Sequence, residues 1–142
     1  MLNMFAYFII TEDKVDWDFV NNRCEDFQPY IEHIRNLDID EMERVTGVNK
    51  ELVKEAALAY ANAPNAMEFH GLGVTEHSQG SKTVMSLCNL AMLTGNIGRP
   101  GVGINPLRGQ NNVQGAADMG AQPHQGAGYY DCLLYTSDAA DE

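Results

Sequence analysis

The chain has 142 residues, with nine Lys and Arg residues against 20 Asp and Glu residues, and therefore a formal net charge of −11. This balance excludes a nucleic-acid-binding protein, because phosphates require a basic surface. The length allows one modest hydrophobic core. Most of the acidic residues precede Glu55, so we expect a solvated helical surface there and ligand-facing loops in the nearly neutral remainder.

The cysteines indicate a reducing compartment. Cys24, Cys88 and Cys132 are too far apart to form a CxxC metal-ligand pair, and their odd number suggests reduced thiols. Cys88 lies in an apolar stretch and is predicted to be a small core residue. The opening MLNMFAYFII is apolar but far too short to span a membrane. We therefore expect a cytoplasmic protein without a membrane span.

The first two segments after the N-terminus are apolar and short. Residues 2–10 are apolar apart from Asn3, which fits a buried strand as well as a helix. Asp16 is placed to cap a short amphipathic helix, on which Trp17 is predicted to belong to the core.

Three more helices are predicted before residue 64. Apolar spacing over 27–37 indicates the first. Asp40, with Glu43 three residues later, has the capping-box arrangement that predicts the second. Asn49 is predicted to cap the third, which Pro64 ends.

A strand, a loop and a helix follow one another in the middle of the chain. The run 66–70 predicts the strand, 71–80 the loop, and 82–94 an apolar helix. Ligands of open α/β sheets collect where a strand ends and the next helix begins, so this loop is a candidate ligand surface. The sequence GLGVTE departs from GxGxxG, which argues against a standard dinucleotide fingerprint.

The stretch 94–120, TGNIGRPGVGINPLRGQNNVQGAADMG, is the second candidate ligand surface. Its glycines predict irregular backbone that approaches another group closely, rather than a helix or strand. Its only cations are Arg99 and Arg108. Amide side chains beside such a backbone suit a flat, polar, hydrogen-bonding ligand. These amides are Gln110, Asn111, Asn112 and Gln114.

The order of these residues is also that of a known family. The segments GLGVTEHSQG, SLCNLAMLTGN and LTGNIGRPGVGINPLRGQNNVQGAADMGAQP resemble the large (alpha) subunit of formate dehydrogenases in the molybdopterin oxidoreductase family. The resemblance is densest from Gly71 to Pro123, and it favours a helix for residues 2–10. It implies an α/β fold: residues 1–110 would form part of a three-layer αβα domain with a helix-rich N-terminal half and Gly-rich ligand loops. Residues 111–131 would begin the following cofactor-binding domain.

The resemblance also implies chemistry. Family members oxidise formate to carbon dioxide on molybdenum or tungsten held by molybdopterin guanine dinucleotide, and they pass electrons to partner subunits. Family subunits are several times longer, so we interpret the chain as an internal fragment that is inactive alone. The iron–sulfur cluster motif and the cysteine or selenocysteine metal ligand would lie in the missing part.

Site residues follow from the matching motifs. Arg108 matches the family's substrate-anchoring arginine, and a guanidinium offers a carboxylate two parallel donors. Without the flanking motif, an exposed arginine paired with a surface acid would be the better interpretation. The resemblance places cofactor contacts at Gly71, Leu72, Gly73, Glu76, Gly95, Arg99, Gly109, Gln110 and Asn111.

Two of these contacts carry qualifications. The family often has glutamine at the position of Glu76, and a carboxylate cannot donate as an amide does. Arg99 is expected to brace its turn or a cofactor phosphate. No metal ligand is predicted among the histidines. His77 is interpreted as a polar loop residue or cofactor neighbour, and the others as structural: His33, His70 and His124.

Other functions remain open at the level of sequence. A nitrate or other oxyanion reductase of the same superfamily would share the Gly-rich stretch, and a non-catalytic nucleotide-binding α/β module is the alternative from another class. Residues 132–142, CLLYTSDAADE, resemble the translation of a sequencing-library adapter. We expect this tail to lie outside the fold and to be dispensable.

Overall fold

The computed structural model describes residues 1–130, so the predicted adapter-like tail lies outside the described residues. The chain divides into two compact units, Met1–Pro106 and Leu107–Glu142. The predicted domain boundary at residue 110 is close to this division, but the assignment of domains stays a prediction. The helices of the first unit are α1 Leu2–Thr11, α2 Trp17–Arg23, α3 Phe27–Arg35, α4 Ile39–Thr46, α5 Lys50–Asn62, α6 Leu72–Thr75 and α7 Gly80–Leu93.

Helix α1 is the centre of the first unit. It packs against α3, α5 and α7, and Met4, Ala6 and Ile9 on it have no exposed surface. A helix that is apolar on all sides is stable only when it is surrounded. The structure therefore confirms a helix, not a strand, for the opening stretch. None of the helices among residues 1–130 is both long enough and apolar enough to cross a membrane.

Three predicted helix starts can be checked against the caps. Asp16 Oδ1 accepts a hydrogen bond from Phe19 N at 2.9 Å, which confirms the predicted cap of α2. Asn49 likewise caps α5 by accepting from the amides of the first turn. The prediction for α4 was wrong, because the cap is Asp38, whose Oδ1 accepts from Glu41 N at 3.0 Å.

The residues of the expected capping box have other partners. Asp40 already lies in the first turn of α4, and its carboxylate binds the ammonium group of Lys50. Glu43 Oε1 accepts from the backbone amide of Lys50 at 3.1 Å. Both side chains thus connect α4 to α5. The D-x-x-E spacing occurs twice, at Asp38 with Glu41 and at Asp40 with Glu43. Asp38 is the cap because its backbone is extended, as an N-cap residue requires, whereas Asp40 is already helical.

Two parallel strands complete the first unit. Strand β1 (Met67–His70) pairs with β2 (Gly103–Pro106), with Met67 opposite Gly103 and His70 opposite Pro106. Helices α6 and α7 connect them, which makes a βαβ unit. This arrangement confirms the α/β class, and it confirms the strand predicted for 66–70.

Two loop predictions need correction. The segment 71–80 contains the one-turn helix α6, and the segment 94–120 contains both β2 and a short helix, α8 (Val113–Asp118). The glycines of the second segment did not prevent a strand, because β2 forms its backbone hydrogen bonds with β1. Asn112 caps α8 by accepting from Gly115 N at 3.1 Å. Cys88 is also only half-buried on α7, not a core residue.

The described part of the second unit is built around α8. Gln114 Nε2 donates to Asp118 Oδ1 at 3.2 Å and to the hydroxyl of Tyr129 at 2.9 Å, and that hydroxyl also binds Asp118. Single antiparallel bridges join Gln122 to Gln125 and Gly126 to Tyr130. Polar side chains, more than an apolar core, hold this segment.

Candidate functional site

The first candidate segment is the turn that follows β1. Gly71 accepts hydrogen bonds from the amides of Val74 and Thr75, which begins α6. His77 Nε2 lies 2.7 Å from Gly73 O and closes the turn from the other side. Leu72 and Glu76 are exposed, and the carboxylate of Glu76 has no hydrogen bond to any residue in 1–130. The turn thus presents backbone and a free carboxylate outward.

Gly80 fixes the position of this turn against α7. A side chain at Gly80 would collide with the backbone carbonyl of Thr75 at the end of α6. Only glycine allows the two helices to approach so closely. The amides of Ser81 and Lys82 that follow make no hydrogen bond to other groups in the described chain. Free N–H groups of this kind form the positive end of a helix.

The second candidate segment is the turn after α7, which is organised by Asn96. This side chain is 2% exposed. Its Oδ1 accepts from Ala66 N at 3.2 Å and from Arg99 Nη2 at 3.1 Å, and its Nδ2 donates to Thr94 Oγ1 at 2.9 Å. One buried amide therefore joins the end of α7, the glycine-rich turn and the segment that enters β1.

Arg99 completes this network. Its guanidinium donates to the side chains of Asn65 and Asn96, and its Nε donates to Gly95 O at 3.4 Å. Gly95 has a φ of +64°, and a side chain there would collide with the carboxylate of Asp16. These contacts agree with the expectation that Arg99 braces its turn. Gly95 and Arg99 also line a cavity of about 620 Å³ beside α2.

The third candidate segment belongs to the second unit. Arg108, Gly109, Gln110 and Asn111 are all exposed. Within residues 1–130, Arg108 forms no ion pair or hydrogen bond. Gln110 and Asn111 have no hydrogen-bond partner there either. The amides of Asn112 and Gln114, in contrast, are used to cap and brace α8.

The candidate residues therefore fall into three segments. Gly71, Leu72, Gly73 and Glu76 share the first, Gly95 and Arg99 share the second, and Arg108 to Asn111 form the third. The first and third offer unengaged polar groups, whereas the second is internally satisfied. Exposed glycine backbone and free amides match the donors and acceptors of a flat heterocycle such as a pterin, so the chemistry of this set fits the cofactor that the resemblance implies.

A buried acid on β1 was not identified from the sequence. Glu68 Oε1 accepts from the hydroxyl of Tyr60 at 2.7 Å, while its Oε2 is buried without a partner in the described chain. Burial raises the pKa of Glu68 above its ordinary value. Burial, with the hydrogen bond to Glu68, raises the pKa of Tyr60 to about 12. The only signal in the sequence was a carboxylate between two apolar residues of a predicted strand.

The structural role of Asn96 was not predicted from the sequence either, because the glycine-rich segment around it was interpreted as a ligand surface. A clue was present, since Asn96 follows the end of α7 by three residues and precedes Arg99 by three. Within residues 1–130, no group of three or more His, Cys, Asp or Glu side chains could hold a metal ion.

Comparison with known proteins decides the family. The model of the molybdopterin oxidoreductase family matches residues 2–137 of this chain. The chain belongs to the molybdopterin oxidoreductase family. The family fits the βαβ unit and the glycine-rich turns described above, and it confirms the resemblance found in the sequence.

Several relatives are formate dehydrogenases by name. The chain is 46% identical to the F420-dependent formate dehydrogenase subunit alpha of Methanocaldococcus jannaschii, over 91% of this chain and 19% of the relative. It is 46% identical to formate dehydrogenase H of Escherichia coli, over 91% of this chain and 18% of the relative. The chain is 45% identical to F420-dependent formate dehydrogenase 2 subunit alpha of Methanococcus maripaludis, over 91% of this chain and 19% of the relative. The chain thus spans about a fifth of the length of these relatives.

Proposed function

We propose that this chain is part of the catalytic subunit of a formate dehydrogenase that oxidises formate to carbon dioxide. The identity of 43–46% to several formate dehydrogenase alpha subunits, over 91% of the chain, supports the proposal. The remainder of the parent would complete a three-layer αβα domain, with residues 111–131 starting the next cofactor-binding domain. It would also carry an iron–sulfur cluster and contact electron-transfer subunits. The free thiols Cys24 and Cys88 favour a cytoplasmic parent.

The cofactor proposed for the parent is molybdopterin guanine dinucleotide with molybdenum or tungsten. When bound, this group accepts the electrons of formate oxidation. The residues proposed to contact it are those whose polar groups are unengaged, in the turn Gly71–Glu76 and in Gly109, Gln110 and Asn111. Gly95 and Arg99 would contribute to cofactor binding by bracing their own turn, because their polar groups already bond within it.

Arg108 is proposed to hold the formate carboxylate. The observation that carries this role is its exposed guanidinium, which has no acidic partner in residues 1–130 although that part of the chain has 16 acidic residues. A guanidinium binds a carboxylate through two parallel charge-assisted hydrogen bonds. Lysine keeps the charge but not this paired geometry.

The experiment uses a chimera in which this chain replaces the matching 129-residue segment of the E. coli relative, formate dehydrogenase H. Arg108→Lys should lower formate kcat/KM by about tenfold to over a hundredfold, since each lost charge-assisted bond costs roughly 1.5–3 kcal/mol. Metal content should stay at the level of the unmodified chimera, because other groups hold the cofactor.

Arg35→Lys is the matched control, because Arg35 is an exposed arginine in the last turn of α3 and belongs to none of the candidate segments. It should leave both kinetics and metal content unchanged. A variant with Arg108→Lys that loads metal normally and oxidises formate within about twofold of the chimera would refute the anchoring role, since twofold is only about 0.4 kcal/mol.

A further inference from the structure

A set of hydrogen bonds inside the first unit ends at an acid that the proposed function does not use. Glu68 on β1 accepts from the hydroxyl of Tyr60 on α5, with 2.7 Å between Oε1 and the phenolic oxygen. That hydroxyl also interacts with the side chains of Thr94 and Asn96 in the turn after α7. Tyr60 is therefore the point where α5, β1 and the turn after α7 meet.

The second carboxyl oxygen of Glu68 decides where a proton can sit. Oε2 is buried and has no hydrogen-bond partner in the described chain. A proton on Oε2 would be a buried donor without an acceptor, whereas a proton on Oε1 faces the phenolic oxygen of Tyr60. Unpaired buried acceptors are tolerated better than unpaired buried donors. Protonated Glu68 therefore donates from Oε1 to Tyr60, which is the reverse of the bond that its carboxylate accepts.

This reversal frees the Tyr60 hydrogen for another acceptor, and Thr94 provides one. Asn96 Oδ1 already accepts two hydrogen bonds, which use both of its lone pairs. Thr94 Oγ1 donates to Leu90 O at 2.9 Å and accepts from Asn96 Nδ2 at 2.9 Å. Because a hydroxyl oxygen can accept twice, Thr94 has a second lone pair for the Tyr60 hydroxyl.

The groups that surround Glu68 limit what can make this arrangement depend on pH. They are Tyr60 on α5, Asn105 on β2, Thr94 and Asn96 after α7, and Arg99 bonded to Asn96. Burial raises the pKa of Glu68 and the Tyr60 bond lowers it, and no charged side chain among residues 1–130 adds to either effect. On β1 itself, His70 follows two residues later on the same face. A pH dependence here comes from Glu68 or from His70, so an experiment must separate the two.

We propose that Glu68 is a proton-operated switch, whose protonation reverses the Tyr60 hydrogen bond and connects β1 to the end of α7. The proton comes from solvent. In the protonated form Glu68 donates to Tyr60, Tyr60 donates to Thr94, and Thr94 donates to a carbonyl of α7. The carboxylate form draws the Tyr60 hydrogen back to Glu68 and gives up the bond to Thr94. Since β1 leads into the first candidate segment and the turn after α7 is the second, acid strengthens the connection between them. The switch does not depend on formate oxidation.

The test is an NMR titration of the ¹³C,¹⁵N-labelled 142-residue chain between about pH 4 and pH 8. The carboxyl carbon of Glu68 should titrate above the ordinary value for glutamic acid, and the amides of residues 94–96 should shift with the same midpoint. The ring carbons of His70 are followed in the same spectra. Amides 94–96 that follow the His70 midpoint, or that do not shift at the Glu68 midpoint, would overturn the proposal.

Tyr60→Phe removes the hydroxyl and keeps the ring. The Glu68 midpoint should rise further, because the Tyr60 bond lowers the pKa of Glu68, and amides 94–96 should no longer shift with it. Tyr30→Phe is the matched control and should change neither, because the Tyr30 hydroxyl interacts with Asn89 on α7. Glu68→Gln should abolish the shift of amides 94–96, and it decides the question if Tyr60→Phe does not fold. A shift that survives Tyr60→Phe or Glu68→Gln would show that the switch does not exist.

Discussion

The buried side-chain amide of Asn96 forms three hydrogen bonds that hold the turn after α7 in place. Asn96→Ala removes three hydrogen bonds and leaves Ala66 N and the Arg99 guanidinium each without one acceptor. A buried group left unpaired costs about 1–3 kcal/mol. We expect the free energy of unfolding to fall by at least that amount in urea denaturation.

Asn36→Ala is the comparison for Asn96→Ala. Asn36 Nδ2 also donates one hydrogen bond, to Glu32 O at 3.0 Å, but it does so at an exposed position where water can replace it. Its loss should change stability by less than about 0.5 kcal/mol. Equal effects of the two substitutions would show that Asn96 does not organise the turn.

Glu68 makes stability depend on pH in a predictable direction. Its pKa is raised by burial, so folding favours the protonated form. The contribution of a group with a raised folded pKa is complete below the unfolded pKa and is lost as pH rises through the folded pKa. Deprotonation of Glu68 therefore destabilises the contact between α5 and β1 above the ordinary range of glutamic acid.

Glu68→Gln tests this direction, because glutamine keeps the shape without the charge. The Tm of the variant should exceed that of the parent chain at pH 7.5, and the difference should shrink as the pH is lowered to about 4. Glu55→Gln changes an exposed carboxylate on α5 and should show no such pH-dependent difference. A Tm difference that is constant over this range would contradict the assignment.

At the scale of the elements, the contact between α6 and α7 determines where the first candidate segment lies. Gly80→Ala would place a methyl group against the Thr75 carbonyl, so α6 must shift or the chain must lose stability. Overpacking of this kind costs about 1–3 kcal/mol. We expect a lower Tm in thermal denaturation and altered amide resonances throughout Gly71–Glu76.

Gly73→Ala is the matched control within the same turn. An added Cβ at Gly73 would meet no atom within 4 Å, and alanine favours the helix. The Tm of this variant should be unchanged or higher. If Gly73→Ala and Gly80→Ala lower the Tm equally, close approach is not the reason for glycine at position 80.

The elements that were predicted correctly are those with a local cause. The caps Asp16 and Asn49 and the apolar periodicity of α7 are encoded within a few residues of the element itself. Strand β2 was missed because its cause is distant: Gly103 to Pro106 become a strand by pairing with β1, more than thirty residues earlier. The strand propensity of residues 103–106 does not reveal a pairing partner that is distant in the sequence.

The candidate site was predicted to a similar extent. Its exposed members, including Arg108, Gln110 and Glu76, were proposed from motifs and stay predictions, and the structure leaves their side-chain polar groups unengaged in the described chain. The internal contacts of Arg99 were anticipated only as one of two roles. Asn65 and Asn96 were not anticipated at all, because a buried hydrogen-bond network depends on three-dimensional neighbours that spacing does not reveal.

At the scale of the whole molecule, the candidate ligand surfaces are open. Leu72 is 44% exposed, and Arg108 and its neighbours are exposed as well. Binding sites for large cofactors usually bury most of the ligand surface, so these segments need walls from elsewhere. The chain corresponds to only 18–19% of the length of its formate dehydrogenase relatives, which leaves most of such walls to the rest of the parent.

We therefore predict that the 142-residue chain alone neither retains a pterin cofactor nor oxidises formate. Expressed together with the cofactor-assembly machinery and purified, it should contain metal far below one atom per chain by mass spectrometry and show no formate-dependent dye reduction. The chimera with formate dehydrogenase H, prepared in parallel, should contain metal and turn over, because it adds the missing walls around the same residues. Stoichiometric metal with turnover in the isolated chain would show that the three candidate segments suffice to enclose the cofactor.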